Sequence, residues 1–212
     1  MPTNQIDFLK PTFERLDFVS NVVVEQYSMV ITRTEDPPVR IGFVHQDPLG
    51  VDEVGQLLEA HPDVQVVVNV PKGARLLGEA IIRCHEASVA IGSVADGMRA
   101  LRLSNPGEYR DRETEFALRG LRQHGAVQAI EILDDKRLLL ERHQLPSLTV
   151  FIGSEYQPTA HSVRSAIQRY GTFDIYVATN PNSHPTAEAV EVGLELGCRV
   201  LRWGPLLGEL NR

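Results

Sequence analysis

The chain repeats itself at a separation of 109 residues, between 40–103 and 148–212. At this offset six positions are identical, namely Val54/Val163, Val68/Val177, Glu79/Glu188, Ala80/Ala189, Glu86/Glu195 and Leu101/Leu210. Apolar residues also coincide around these identities, as Leu58 and Ile167 do. A shared spacing of apolar positions produces a shared pattern of burial, so the sequence predicts two copies of one fold.

Both copies are predicted to have the element order α-β-β-β-α-β-α-β, followed by a short helix. The predicted elements of the first copy are 8–18, 22–27, 28–33, 39–44, 51–60, 64–70, 76–84, 89–92 and 95–103. Those of the second are 110–123, 127–133, 136–142, 148–152, 159–170, 174–179, 186–196, 199–203 and 204–210. Apolar strands joined to helices by short loops indicate parallel pairing, and the leading hairpins indicate an antiparallel start to the same sheet.

The sequence therefore predicts an α/β protein with two tandem units, each a mixed sheet flanked by helices. The first unit is expected over 1–103 and the second over 111–212. The segment 104–110 is rich in turn residues and polar, so it is the predicted linker.

The composition is that of an ordinary globular chain, with 42% apolar and 23% charged residues. The net charge is −7, which divides into −5 for 1–105 and −2 for 106–212 and disfavours bulk binding to phosphate backbones. Neither a membrane span nor a secretory signal is visible, and the two cysteines fit buried thiols in a reducing compartment. We therefore expect a cytoplasmic protein, with a homodimer among the open oligomeric states.

The order of elements resembles that of the restriction-endonuclease-like, or PD-(D/E)XK, superfamily. The tail 174–207 carries the closest similarity, because a strand ending in Thr179 leads to a Thr-capped helix, a last strand and a Leu-rich turn. This pattern looks like the end of type IV restriction endonucleases. The resemblance covers about the last 90 residues directly and the first half through the repeat.

The resemblance implies a metal site made by an Asp on one strand and a Glu-x-Lys or Asp-x-Lys on the next. In this chemistry the carboxylates hold a divalent cation and the lysine helps to activate water. The matching third strands, 39–44 and 148–153, contain neither a carboxylate nor a lysine. The expected Pro-Asp is present only as Pro146-Ser147. Both copies are therefore predicted to have lost the metal site.

Three acidic residues remain as candidates for a relocated catalytic site: Glu131, Asp135 and Glu155. Glu131 could lie across the second hairpin from Glu141, since alternate residues of a strand share a face. Asp134, Asp135 and Lys136 equally suit a solvated turn, and Glu155 suits a loop acid before a helix.

Two polar loops at the ends of buried strands are the candidate ligand sites. The second copy offers Asn180, Asn182, Ser183, His184 and Thr186, and the first offers Asn69 and Lys72. Free N–H groups at a helix start favour anions, so a phosphate or a nucleotide edge could bind there. Ser183 or Thr186 could instead be a plain helix cap.

The sequence supports two hypotheses of different classes. The first is a non-catalytic, nuclease-like tandem that binds nucleic acid or a protein partner, in DNA defence or maintenance as the resemblance implies. The second is an enzyme, either a metal-dependent nuclease that uses the relocated acids or a nucleotide-handling α/β enzyme. A further alternative is a nucleotide-sensing α/β protein that binds a nucleotide in each of two crevices. We favour the first, with no cofactor; Mg²⁺ belongs only to the second. Zinc-binding, P-loop and dinucleotide-binding motifs are not found.

Overall fold

The computed structural model describes residues 6–212, and the chain divides into two compact units between Arg110 and Asp111. The elements of unit 1 are α1 (Lys10–Glu14), β1 (Val19–Glu25), β2 (Ser28–Arg33), β3 (Val39–Val44), α2 (Val51–Ala60), β4 (Val64–Asn69), α3 (Gly78–Glu86), β5 (Ala90–Gly92) and α4 (Val94–Ala100). Those of unit 2 are α5 (Arg112–Arg122), β6 (Val127–Ile132), β7 (Arg137–Arg142), β8 (Leu145–Gly153), α6 (Ala160–Tyr170), β9 (Ile175–Ala178), α7 (Ala187–Glu195), β10 (Arg199–Arg202) and α8 (Trp203–Glu209).

Each unit has its own five-stranded mixed sheet. The strand order is β1-β2-β3-β4-β5 in unit 1 and β10-β9-β8-β7-β6 in unit 2. The first three strands of each unit pair antiparallel, and the last three pair parallel through helical crossovers. The predicted α/β fold, with two mixed sheets flanked by helices, is confirmed.

Helices cover both faces of the sheet in unit 1. Phe13 of α1 and Leu101 at the end of α4 pack with one set of sheet residues, which includes Met29, Ile41 and Val66. On the opposite face α2 lies so close to β3 that a Cβ on Gly42 would come within 2.6 Å of the Leu57 Cδ2 atom. The sheet is therefore a central layer whose parallel strands are buried, which explains the apolar run in β4.

Unit 2 repeats these layers with a different core composition. Leu118 and Leu121 of α5 and Leu206 of α8 pack on one face of the sheet. On the other face α6 and α7 enclose an aromatic cluster, which consists of Phe151, Tyr170, Phe173 and Tyr176. The two cores bury equivalent positions of the repeat, although few of the residues at these positions are identical.

The spacing of 109 residues holds from β2 through α4 in unit 1 and from β7 through α8 in unit 2, whereas Val22 of β1 and Ile130 of β6 take equivalent places at a spacing of 108. Four of the six identical pairs are buried at both positions, for example Val54 with Val163, and the glutamate pairs are exposed. The helix predicted at 8–18 is wrong in its second half, since α1 ends at Glu14 and β1 is already paired at Val19. The other predicted elements are found with ends displaced by three residues or fewer.

The predicted linker packs onto unit 1. Residues Pro106–Glu108 form a short 3-10 turn in which Pro106 and Gly107 are buried. A Cβ on Gly107 would lie 2.1 Å from the Ser88 carbonyl oxygen, so only glycine fits this approach. The Tyr109 hydroxyl donates a hydrogen bond to Asp96 of α4 at 2.9 Å. The chain thus completes unit 1 before it enters α5.

Candidate functional site

Glu155 and the polar loop 180–186 lie at the carboxyl ends of β8 and β9. Glu155 follows β8, and its carboxylate accepts a hydrogen bond from the hydroxyl of Tyr176, a fully buried residue of β9. Burial of the tyrosine, together with its hydrogen bond to Glu155, raises the pKa of the Tyr176 hydroxyl. The hydroxyl therefore remains a donor, and Glu155 is held by the sheet beneath it.

The loop between β9 and α7 is fixed by its own polar groups. The Asn180 side-chain oxygen accepts a hydrogen bond from the Asn182 N–H at 3.0 Å, which forms an Asx turn. Ser183 is fully buried, and its hydroxyl donates to the Glu155 carbonyl at 3.3 Å. Thr186 is the N-cap of α7, where its hydroxyl accepts from the Ala189 N–H at 3.1 Å. The helix-cap interpretation therefore holds for Thr186.

His184 joins this loop to the one that carries Glu155. The backbone N–H of His184 donates to the Tyr156 carbonyl at 3.1 Å. The two rings are nearly perpendicular, and their centroids are 6.4 Å apart. Tyr156 is 62% exposed. The structure thus brings Glu155, Ser183 and His184 together, and these hydrogen bonds hold the two loops to each other.

In unit 1 the corresponding loop uses its asparagine differently. Asn69 is buried at the end of β4, where its side chain accepts from the Gln46 N–H at 3.1 Å and donates to the Gln46 carbonyl at 2.7 Å. This pair of bonds ties the β3–α2 loop to β4. Lys72 is exposed in the next turn. The two loops are therefore not equivalent, since the repeat pairs Asn69 with Ala178 and not with Asn180.

The acidic residues of the second hairpin each have different partners. Glu131 is exposed and pairs with Leu139, while Glu141 pairs with Ala129, so the proposed Glu131–Glu141 facing pair is wrong. Asp134 is buried in the turn and accepts from the Arg137 N–H and Nε at 2.7 and 2.9 Å. Its neighbour Asp135 accepts from the Tyr170 hydroxyl at 3.3 Å.

The structure does not gather these acids into one cluster. Among residues 6–212, no three His, Cys, Asp or Glu side chains lie close enough together to hold a metal ion. Within the same range, no helix has both the length and the apolar character that a membrane span requires.

Comparisons with known proteins do not identify the chain. Neither family models, nor curated proteins, nor solved structures give a match.

A groove in unit 1 contains polar residues that sequence reasoning missed. It has a volume of about 370 Å³ and runs along one side of α2, near the end of β3. Its lining residues are Ile6, Tyr27, Phe43, Val44, His45, Glu53, Gln56, Leu57, Ala60, His61 and Val70. The sequence shows only that residues 53, 56, 57 and 60 have the spacing of one face of a helix, so that they lie side by side on α2. We call this feature the α2 groove.

The α2 groove has an apolar floor and polar walls. Phe43 and Leu57 are 3% and 7% exposed, and the Phe43 ring packs edge-on against Phe13 at 6.0 Å. The Tyr27 carbonyl accepts from the Phe43 N–H at 2.8 Å, so the β1–β2 turn is anchored to the floor. Glu53 belongs to the wall and caps α2 by accepting from the Gly50 N–H at 3.2 Å.

Proposed function

We propose that this protein is a non-catalytic binding module with two nuclease-like units, and that its partner is a protein. The composition of the third strands is the observation on which the proposal depends. β3 and β8 lie at the centre of their sheets, where the resemblance requires metal-binding acids, and neither strand contains a carboxylate or a lysine. A nuclease that uses Mg²⁺ or Mn²⁺ needs acidic ligands to hold the cation that stabilises the developing negative charge.

The candidate polar residues support a structural frame in place of a reaction centre. Asn69, Ser183, Thr186 and Asp134 each bind backbone groups and fix a loop, a helix start or a turn. Side chains bound in this way are held in a fixed orientation. The frame keeps the carboxyl ends of the strands rigid, which favours recognition of a preformed partner surface.

The charge favours a protein over nucleic acid. The chain has a net charge of −7, and the part of the α2 groove lining that belongs to residues 6–212 contains no lysine or arginine. Binding of a phosphate backbone depends on cationic side chains that release its counterions. An acidic surface has the opposite effect and repels phosphates.

A cleavage assay tests this proposal. The full chain would be incubated with duplex DNA, single-stranded DNA and RNA, each in the presence of Mg²⁺ or Mn²⁺. We expect no cleavage above the buffer control. Cleavage that Glu155→Gln or Asp135→Asn abolishes would overturn the proposal and restore the relocated acids as a catalytic site. Cleavage that both variants retain would equally overturn it and place the catalytic residues elsewhere.

A further inference from the structure

The α2 groove has the size and lining of a binding site. Its volume of about 370 Å³ lies at the lower end of the range of roughly 300–1,000 Å³ for small-ligand pockets. An apolar floor with a few polar groups on the walls is the usual composition of such sites. The groove thus has room for about one large side chain and its neighbours.

The groove is held open by packing on both sides. On one wall α2 cannot move toward the sheet, since Leu57 already touches Gly42 of β3. On the other wall Tyr27 is 49% exposed in a turn that is bonded to Phe43, with a backbone φ of 58°. A preformed, rigid groove loses little conformational entropy of its own when a partner binds.

The side of the groove formed by α2 is acidic, and Glu53 of this helix lines it. Helix α2 has three acids, Asp52, Glu53 and Glu59, and no basic residue. Arg40 of β3 is paired with both Glu25 and Asp63. Cationic groups on a partner would therefore be attracted to the rim of the groove, and anionic ones repelled.

Unit 2 does not preserve these residues. At the separation of 109, Tyr27 corresponds to Lys136, Ala60 to Arg169 and His45 to Ser154. Two cations thus replace an aromatic and a small residue of the groove. The two units keep the same scaffold and differ in the residues that make this surface, so the surface is specific to unit 1.

From these observations we propose that the α2 groove binds a protein segment that inserts one large apolar side chain between flanking lysines or arginines. The apolar side chain packs against Tyr27, Val44 and Val70, which line the groove and are partly exposed, and a flanking cation lies near Glu53. This inference rests on the proposed function, because it names the site and the chemistry of the protein partner.

A peptide titration tests the inference on the full chain. The probe is a fluorescent nine-residue library, Lys-Arg-X-Φ-X-Lys-Arg flanked by glycines, in which Φ is Leu, Met, Phe or Trp. We expect saturable binding, and at least tenfold weaker binding when Glu replaces Lys and Arg in the library. Amide NMR signals of the groove residues should shift on binding.

Two variants locate the binding site. Ala60→Arg introduces the residue that unit 2 has at this position, and it should weaken binding at least tenfold. Ala87→Arg places the same charge on the exposed end of α3, away from the groove, and should change binding less than twofold. A library that does not bind, or that binds Ala60→Arg and the wild type equally, would overturn the inference. Neither result affects the absence of nucleic-acid cleavage, which tests the proposed function separately.

Discussion

At the scale of single residues, one buried arginine in each unit closes the fold. The Arg33 guanidinium donates to the carbonyls of Pro37, Leu101, Leu103 and Ser104. Its repeat partner, Arg142, donates to those of Pro146, Glu209, Leu210 and Arg212. Both arginines hold the carbonyl end of the last helix, where backbone acceptors have no helical partner. The shared spacing Arg-x-x-x-Pro was visible in the sequence, although it lies outside the aligned ranges.

Removing either arginine should destabilise its own unit. We expect Arg33→Met and Arg142→Met each to lower the free energy of unfolding by about 3 kcal/mol, because several buried carbonyls lose a charged donor. Urea unfolding measures this change. The exposed Arg164→Met is the control and should stay within about 0.5 kcal/mol of wild type. Equal stability of all three variants would show that the repeated arginine has no structural role.

His85 should make the stability of unit 1 dependent on pH. Partial burial of this histidine of α3, together with the charge of Arg110, lowers the pKa of its ring to about 4. In the unfolded chain the ring has a pKa near the ordinary 6.5, so it takes up a proton at a pH where the folded ring remains neutral. Stability from this group is therefore present above about pH 6.5 and is lost as the pH falls toward 4.

Substitution of His85 measures this contribution. We expect His85→Gln to reduce the fall in unfolding free energy between pH 7 and pH 4.5, measured by urea titration at each pH. The exposed His143→Gln should leave the slope as it is in the wild type. A slope unchanged by His85→Gln would contradict the proposed burial of a neutral imidazole.

At the scale of elements, the junction of β8 and β9 shows how the two units diverge on one scaffold. Tyr176 of β9 lies beneath Gly153 of β8, so that a Cβ at this glycine would come within 2.4 Å of the tyrosine ring. In unit 1 the corresponding residues are Val67 and Val44. Unit 2 thus places a buried aromatic ring and its hydroxyl under Glu155, where unit 1 has a small apolar side chain.

Gly153→Ala should therefore destabilise unit 2. We expect the free energy of unfolding, measured by urea titration, to fall by about 1–3 kcal/mol, because the ring of Tyr176 must shift away from the new methyl group. The same measurement should show about 1 kcal/mol or less for Gly125→Ala, since a Cβ at Gly125 has nothing within 4 Å. A stable Gly153→Ala variant would mean that the junction of β8 and β9 is looser than described.

At the scale of the whole molecule, the architecture could be predicted from the sequence, and the α2 groove could not. The spacing of apolar residues predicts elements such as β4 and α2, and the repeat predicts the matching element in the second copy. The acids and polar loops were visible as residue types, but their partners were not. Asn69 contacts Gln46, 23 residues away, and the α2 groove joins a turn, a strand and a helix that are distant in the chain. Such contacts depend on tertiary packing, which leaves no short motif.

Each unit has a core of its own, so each should fold alone. We expect the separate chains 1–110 and 111–212 to unfold cooperatively in urea, as followed by circular dichroism, because the cores of both units are complete within these limits. Fragments without a cooperative transition would contradict the description of two autonomous repeats. The exposed Arg164→Met should have no effect in the second fragment.

The central claim is that this repeated scaffold binds a protein and does not act on nucleic acid. Fluorescence anisotropy on the full chain tests it most directly, with the basic peptide library and labelled single- and double-stranded DNA compared at about 50 mM salt, where phosphate contacts are strong. The account predicts that the peptides bind and neither DNA does. Tight binding of DNA that weakens steeply with added salt, without binding of the peptides, would contradict it.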